Sequence, residues 1–280
     1  MKSREDKSKA ELIMPTRKWH EKLNFLNVLL IIFLFLTLIS GKKIIEGNRP
    51  ADVMSGLNYF LKKFFPPDFS EFTIILNSLA ETFQIAIVST FFAIILSLFI
   101  SLAAARNISP GWLVQGTRML LNLTRTLPSL IWAFIFVIFF GPTPIAGVFA
   151  LTFYSLGYLG KFFSESFESM DIKVALGLKL IGASRFKAFV YGLWPNVKAQ
   201  VWSQSLWMLE YNIRSASIVG LVGAGGIGME LNKAMEMASG FQKVSAILIC
   251  ILCIVISLDL LGQAIRKWIT DKISPKSISD

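Results

Sequence analysis

Apolar residues along this chain come in long uninterrupted blocks separated by short polar and basic stretches, not at the spacing that gives soluble amphipathic helices. The first block, Leu23 to Gly41, carries no charge and is long enough to cross about 30 Å of hydrocarbon as one helix. Residues 42–78 mix Lys42, Lys43, Lys62 and Lys63 with Pro66-Pro67 and aromatic residues, the pattern of an extramembrane or interfacial connection. A second charge-free block, Thr82 to Ala105, ends at Arg106-Asn107 and the Ser109-Pro110-Gly111 break. The next, Thr126 to Gly160, is too long for one crossing and is cut by Gly141-Pro142-Thr143-Pro144, which predicts two spans joined by a tight turn. The third span then starts before Thr126 and carries Arg125 within it. Residues 161–198 are polar and basic, Ala199 to Val222 is a fifth apolar segment, and Val244 to Ile265 a sixth. The pattern predicts an all-α integral membrane protein with six transmembrane helices.

Composition agrees, with 54% hydrophobic and 16% charged residues. The net charge of +10 would suit nucleic acid, but the basic residues lie between apolar blocks and form no single stripe. Instead they set topology. With the amino terminus inside, 18 of the 28 Lys and Arg fall on the cytoplasmic side, so both termini and the 161–198 loop are expected there. The domain plan is a cytoplasmic tail (1–22), an uncleaved anchor helix (23–41), an extracytoplasmic connection (42–78), a transmembrane core (79–265) and a cytoplasmic tail (266–280).

Little in the chain could perform covalent chemistry. Cys250 and Cys253 stand three apart in an apolar helix and read as packing residues. His20, the single histidine, has no Cys, Asp or Glu at ligand spacing, so neither a metal site nor a Ser/His/Asp set can be assembled, and no cofactor is expected. Gly223-Ala224-Gly225-Gly226-Ile227-Gly228 spells a dinucleotide-binding pattern but lacks the preceding strand and βαβ unit that give it meaning. No Gly-x-x-x-x-Gly-Lys-[Ser/Thr] occurs, so ATP hydrolysis by this chain is not expected.

The informative run is Glu210 to Gly228, a charge pair inside a membrane-grade segment followed by a glycine-dense loop. Ser203, Trp207, Glu210, Arg214, Ser217 and Leu221 recur at steps of three and four and share one helix face. Glu210 and Arg214 stand at i and i+4 with the acid first, an order that lets each offset the other's desolvation. Two readings stand open: a structural clamp against a neighbouring helix, with Asp259 or Arg125 as partner, and the polar lining of a translocation path. Gly220, Gly223, Gly225, Gly226 and Gly228 allow a sharp break and close backbone packing, which suits either a gate or a tight helix-ending turn.

Glu210 to Gly228 resembles the signature run of phosphonate-type ABC importer permeases, and Ala103-Ala104-Ala105-Arg106-Asn107 is similar to theirs as well. The resemblance covers roughly residues 75 to 268 and implies a type I importer permease core preceded by one extra helix. In the same frame Gly182-Ala183-Ser184-Arg185 and Trp194-Pro195 resemble the loop by which such permeases dock onto their ATPase. Leu176-Gly177-Leu178 stands where that loop usually has Glu-Ala-Ala, and Gly192 where an Ile is usual. The resemblance implies a subunit of an ATP-driven importer of phosphonate or a related phosphorus oxyanion such as phosphite. Its implied partners are two ATPases, an extracytoplasmic binding protein and a second permease copy, all at the inner membrane. On this reading Arg214, and after it Arg125, ease the passage of an anion, with Glu210, Ser203 and Ser217 beside them. The rivals are an ABC permease for another small anion or nutrient, an ion-coupled secondary transporter, which usually shows inverted repeats and several intramembrane acids, and an intramembrane enzyme, which lacks the necessary residue set.

Overall fold

The computed structural model describes residues 25–47, 53–170, 173–237 and 240–273, and every regular element among them is helical. The chain divides into two units, residues 1–62 and 63–280. The tail expected over 1–22 lies outside the described residues.

In the first unit, α1 (Phe25–Gly47) runs past the end of its charge-free block and through Lys42-Lys43. Gly41 lies inside the helix and does not end it. Its apolar part, Asn27–Lys42, is shorter than the ~20 residues of a full crossing. A second helix, α2 (Val53–Phe64), fills much of what reads in the sequence as a connection, and α3 (Phe72–Ala104) already begins inside that stretch. The second span is thus a helix that starts ten residues before Thr82, because Pro67 is the last breaker and Glu81 alone does not stop a helix.

The larger unit is built around α6 (Pro144–Glu168), which packs against α3, α4 (Gly111–Thr126), α5 (Ser129–Phe140) and α9 (Trp194–Val219). Large apolar residues such as Phe163, Phe167 and Leu151 fill its core, but along α3 the pattern is inverted relative to a soluble helix. On α3 the small residues Ser78, Thr82, Ala86, Ser89, Ala93, Ser97 and Ser101 are buried, while Phe91, Phe92 and Phe99 face outward. Without a hydrophobic drive between helices in lipid, close approach of small residues supplies the packing. Two buried hydroxyls return to their own helix, Thr82 to the Ser78 carbonyl at 2.8 Å and Thr90 to that of Ala86 at 2.7 Å, while Ser97 donates across to the Leu156 carbonyl on α6 at 3.4 Å. Where α6 crosses α4, a Cβ added at Gly160 would lie 2.7 Å from a Leu121 methyl, and one at Gly157 2.7 Å from Arg125 Cγ.

Among the described residues three helices are long and apolar enough to cross a membrane: α3, α6 and the Phe241–Trp268 part of α11 (Phe241–Ile273). The pair α4 and α5 would make a fourth, but it is bent by 90° where Pro128 ends α4 and holds Leu127 extended. Arg125 therefore stands at the end of a helix next to a bend and not inside a straight third span. The turn expected between spans three and four is present, with Gly141 at φ +75° and Pro144 opening α6. At 26 residues α9 is long enough, but Lys198, Glu210, Arg214 and several amides and hydroxyls make it too polar to pass as lipid-facing. One side of it is buried, while Trp202, Trp207 and Ile218 are exposed.

Candidate functional site

The charged face of α9 meets α11, and its two charges do not pair with each other. Glu210, 7% exposed, is held by Arg266, and Arg214 Nη1 donates to Asp259 Oδ1 at 2.6 Å. The i,i+4 pair expected from the sequence is replaced by two rungs between helices, since α11 brings an opposite charge to each end of the stripe. Gly262 makes the inner rung possible: a Cβ there would collide with Glu210 Oε1 and come within 2.6 Å of its carboxyl carbon. Ser203 lies on a shallow groove with Trp207, Gln204, Phe162 and Arg266, and Ser217 turns its carbonyl toward Gly228.

Arg125 is held elsewhere, by α6. Its guanidinium carbon lies 4.8 Å from the centre of the Tyr158 ring, a cation–π contact. From Tyr158 an aromatic ladder runs through Tyr154 (4.9 Å) to Tyr211 (5.2 Å) and Trp207 (5.9 Å) on α9, and the hydroxyls of Tyr211 and Tyr154 bond at 2.7 Å.

The residue most central to this region is Asn212, which is fully buried. Its Nδ2 donates to Thr90 Oγ1 on α3 at 2.9 Å and to Ser155 Oγ on α6 at 2.8 Å, so one amide joins three helices. The sequence signal, a lone amide between Glu210 and Arg214 on the opposite helix face, is overshadowed there by the charges.

Beyond α9, Gly220–Val222 tightens into a 3₁₀ turn and Gly223, Gly225 and Gly226 adopt φ of +91°, +85° and +69°. Only glycine enters this region without strain. The loop then threads a crowded place: Gly220 and Gly228 touch backbone to backbone, and a Cβ on Gly225 would sit 3.0 Å from Pro144 Cγ. The Ala224 carbonyl packs so closely on Gly147 that a Cβ there would lie 2.6 Å away. Ile227 N–H donates to Thr82 Oγ1 at 2.8 Å, which fixes the start of α10 (Ile227–Glu236) on α3. The glycines thus form a packed junction of α3, α6, α9 and α10.

Where α3 and α11 begin, a groove is lined by Asp68, Glu71, Glu230, Lys233 and Lys243. Lys243 pairs with Glu71 at 2.6 Å, and the backbone N–H of Ser70 on Asp68 holds that carboxyl below its ordinary range.

At the other end, α7 (Lys173–Leu180) closes in a Schellman turn. Ala183 N–H bonds to the Leu178 carbonyl and Gly182 N–H to that of Lys179, both at 3.0 Å, with Gly182 at φ +91°. Ser184 Oγ accepts Lys187 N–H at 3.3 Å at the head of α8 (Arg185–Ala188), and the Arg185 side chain lies outside the described residues. A π turn, Phe189–Leu193, then leads straight into α9, and Pro195 occupies that helix's first turn, where its missing N–H costs nothing. Gly192, the departure from the family pattern, has a role: a Cβ there would lie 3.0–3.1 Å from the backbone of Ala175, so its absence seats α7 against the π turn. Around this elbow Leu180 (88%), Ile181 (81%), Phe186 and Tyr191 are exposed.

An all-helical bundle with long apolar helices, ion pairs between α9 and α11 and an apolar elbow at one end is the architecture of a membrane-embedded helical protein. The chain belongs to the family described as binding-protein-dependent transport system inner membrane component, whose model matches residues 97–274. It is 33% identical over 241 residues to the phosphite transport system permease protein PtxC of Stutzerimonas stutzeri, covering 86% of this chain and 85% of that protein. It is 32% identical over 207 residues to the phosphate-import permease protein PhnE of Mycolicibacterium smegmatis, covering 73% of this chain and 39% of that one. In fold it is similar to an inward-facing MetNI methionine ABC transporter chain, with TM-score 0.64, 16% identity and coverage of 72% of this chain and 99% of that chain.

Proposed function

We propose that this chain is the permease subunit of an ATP-driven importer of a small phosphorus oxyanion, phosphonate or phosphite, and that a separate ATPase subunit supplies the energy. The observation that carries the reading is the likeness to a phosphite transport permease over 86% of the chain. Six crossings are proposed, counting α1, the bent pair and α9 along with the three apolar helices, with both termini cytoplasmic. On this topology the elbow at Gly182 faces the cytoplasm, and its apolar crown, Leu180, Ile181, Phe186 and Tyr191, is the ATPase dock, seated by Gly182, Ala183, Ser184, Arg185 and Pro195. The groove of Asp68, Glu71, Glu230 and Lys233 lies on the opposite side, where an extracytoplasmic binding protein delivers substrate. A second copy of the chain completes the path, which Ser203, Glu210, Arg214, Ser217 and Arg125 help to line, and the Gly220–Gly228 junction is its gate hinge.

Packed helices move as rigid units between discrete arrangements, so a push on the elbow passes directly into α9, with which it is continuous. Uptake of labelled phosphite or phosphonate by cells expressing this chain with its ATPase and binding protein tests the reading. Transport should vanish when the ATPase is disabled and survive a protonophore where ATP is maintained; the opposite pattern overturns it. Because one relative is named a phosphate importer, phosphate is the competitor to include, and phosphate outcompeting both would move the substrate to that anion.

A further inference from the structure

The helix α4 carries three distinct faces. Val114, Leu121 and Thr124 are buried against the bundle, whereas Trp112, Met119, Leu120 and Leu123 are exposed and apolar, as a lipid-facing surface requires. Between these two faces, at about 100° per residue, Gln115, Arg118, Asn122 and Arg125 fall within an arc of about 80°. Gln115 and Asn122 are exposed and Arg118 and Arg125 half-buried, and two guanidinium groups and two amides so placed would be costly against hydrocarbon.

The charges along this stripe are unequal. Arg118 is compensated: its Nη2 meets Glu168 Oε1 at 2.5 Å and its Nε the Ala104 carbonyl at 3.0 Å. Arg125, two helical turns further and so about 10 Å away, has no carboxylate paired with it among the described residues. It rests on the Tyr158 ring, and its Nε is enclosed without an acceptor. Arg214, the cation the sequence marks most strongly, is by contrast neutralised by Asp259.

We infer that α4 forms the anion-conducting wall of this permease: Arg125 carries the charge of the passing oxyanion at depth, and the compensated Arg118–Glu168 pair lies at the exit. The inference rests on the proposed import of an oxyanion and names the residues for it. One uncompensated cation draws an anion in, and the neutral pair beyond it lets the anion leave, as conduction requires.

Cysteine accessibility in the assembled transporter tests this apart from substrate identity. In a Cys250→Ala, Cys253→Ala background, Asn122→Cys and Leu123→Cys place thiols at one depth on adjacent faces. Asn122→Cys should react with an impermeant methanethiosulfonate, faster with the sulfonate reagent than with the trimethylammonium one by on the order of tenfold, the effect of one nearby charge. Leu123→Cys should stay inert. The preference should survive Arg125→Lys and disappear in Arg125→Gln or, where that complex assembles poorly, Arg125→Met. Equal reactivity at 122 and 123, or a preference that persists without the Arg125 charge, overturns the inference. The expected labelling in a complex that takes up no phosphite or phosphonate would leave the wall standing and overturn the substrate reading alone.

Discussion

Gly262→Ala sets two opposed effects against each other, and their sizes decide the outcome. In a helix interior alanine is favoured over glycine by about 1 kcal/mol, so propensity alone makes this substitution stabilising. In this fold the added methyl would occupy the place of Glu210 Oε1 and lie 3.4 Å from Arg266 Nη1. The carboxylate must swing away, and at 7% exposure it has no water to turn to. Breaking a buried pair costs about 3–5 kcal/mol; because the Arg266 side chain keeps 26% exposure, the lower end applies and the net is a loss of about 2 kcal/mol. Thermal unfolding of the purified complex, followed by the fraction that stays monodisperse in size-exclusion chromatography, should show a clear fall in midpoint. In a Glu210→Ala background the same substitution should cost nothing further, because the obstacle has gone. A raised midpoint for Gly262→Ala, as propensity alone requires, would refute the Glu210–Arg266 rung.

Three further outcomes follow from named contacts. Asn212→Ala deprives Thr90 and Ser155 of a shared buried donor and should destabilise the bundle by about 1–3 kcal/mol, seen in the same unfolding assay; an unchanged midpoint would remove Asn212 as the link between α3, α6 and α9. Gly192→Val presses on the Ala175 backbone and should loosen α7, so that co-purification of the ATPase falls several-fold while membrane insertion, followed by reporter fusions, is unchanged; full co-purification would show that α7 docks without this seat. Thr82→Val removes the acceptor for Ile227 N–H and leaves that buried donor unpaired, at about 1–3 kcal/mol, and should speed limited proteolysis within the Gly220–Gly228 junction. An unaltered cleavage rate would place the stability of that junction elsewhere.

The helical class, the turn at Gly141–Pro144 and the elbow at Gly182 were legible in the sequence because each depends on neighbours in the chain: block hydropathy, a proline at a helix start, a glycine free to take positive φ. The limits of the elements were less so. Residues 42–78 look like a connection because lysines interrupt them, yet lysines do not break a helix, so α1 runs through Lys42-Lys43 and α2 and α3 occupy much of the rest. The 90° bend after Thr126 is hidden because Pro128 can either kink a span or end it, and only the packing of α5 on α6 decides.

By itself the sequence determined which segments shun water, where the backbone must turn, and that Glu210 and Arg214 could not face lipid alone. Which partner each charge takes was decided by tertiary structure, since Asp259 and Arg266 are 45 and 56 residues away along the chain and become neighbours only when α11 lies along α9. The same holds for Arg125, whose place over Tyr158 depends on Gly157 letting α4 and α6 approach. Hydropathy and turn chemistry act over a few residues, whereas the cost of an intramembrane charge depends on what stands opposite it, and that is set by how the helices pack.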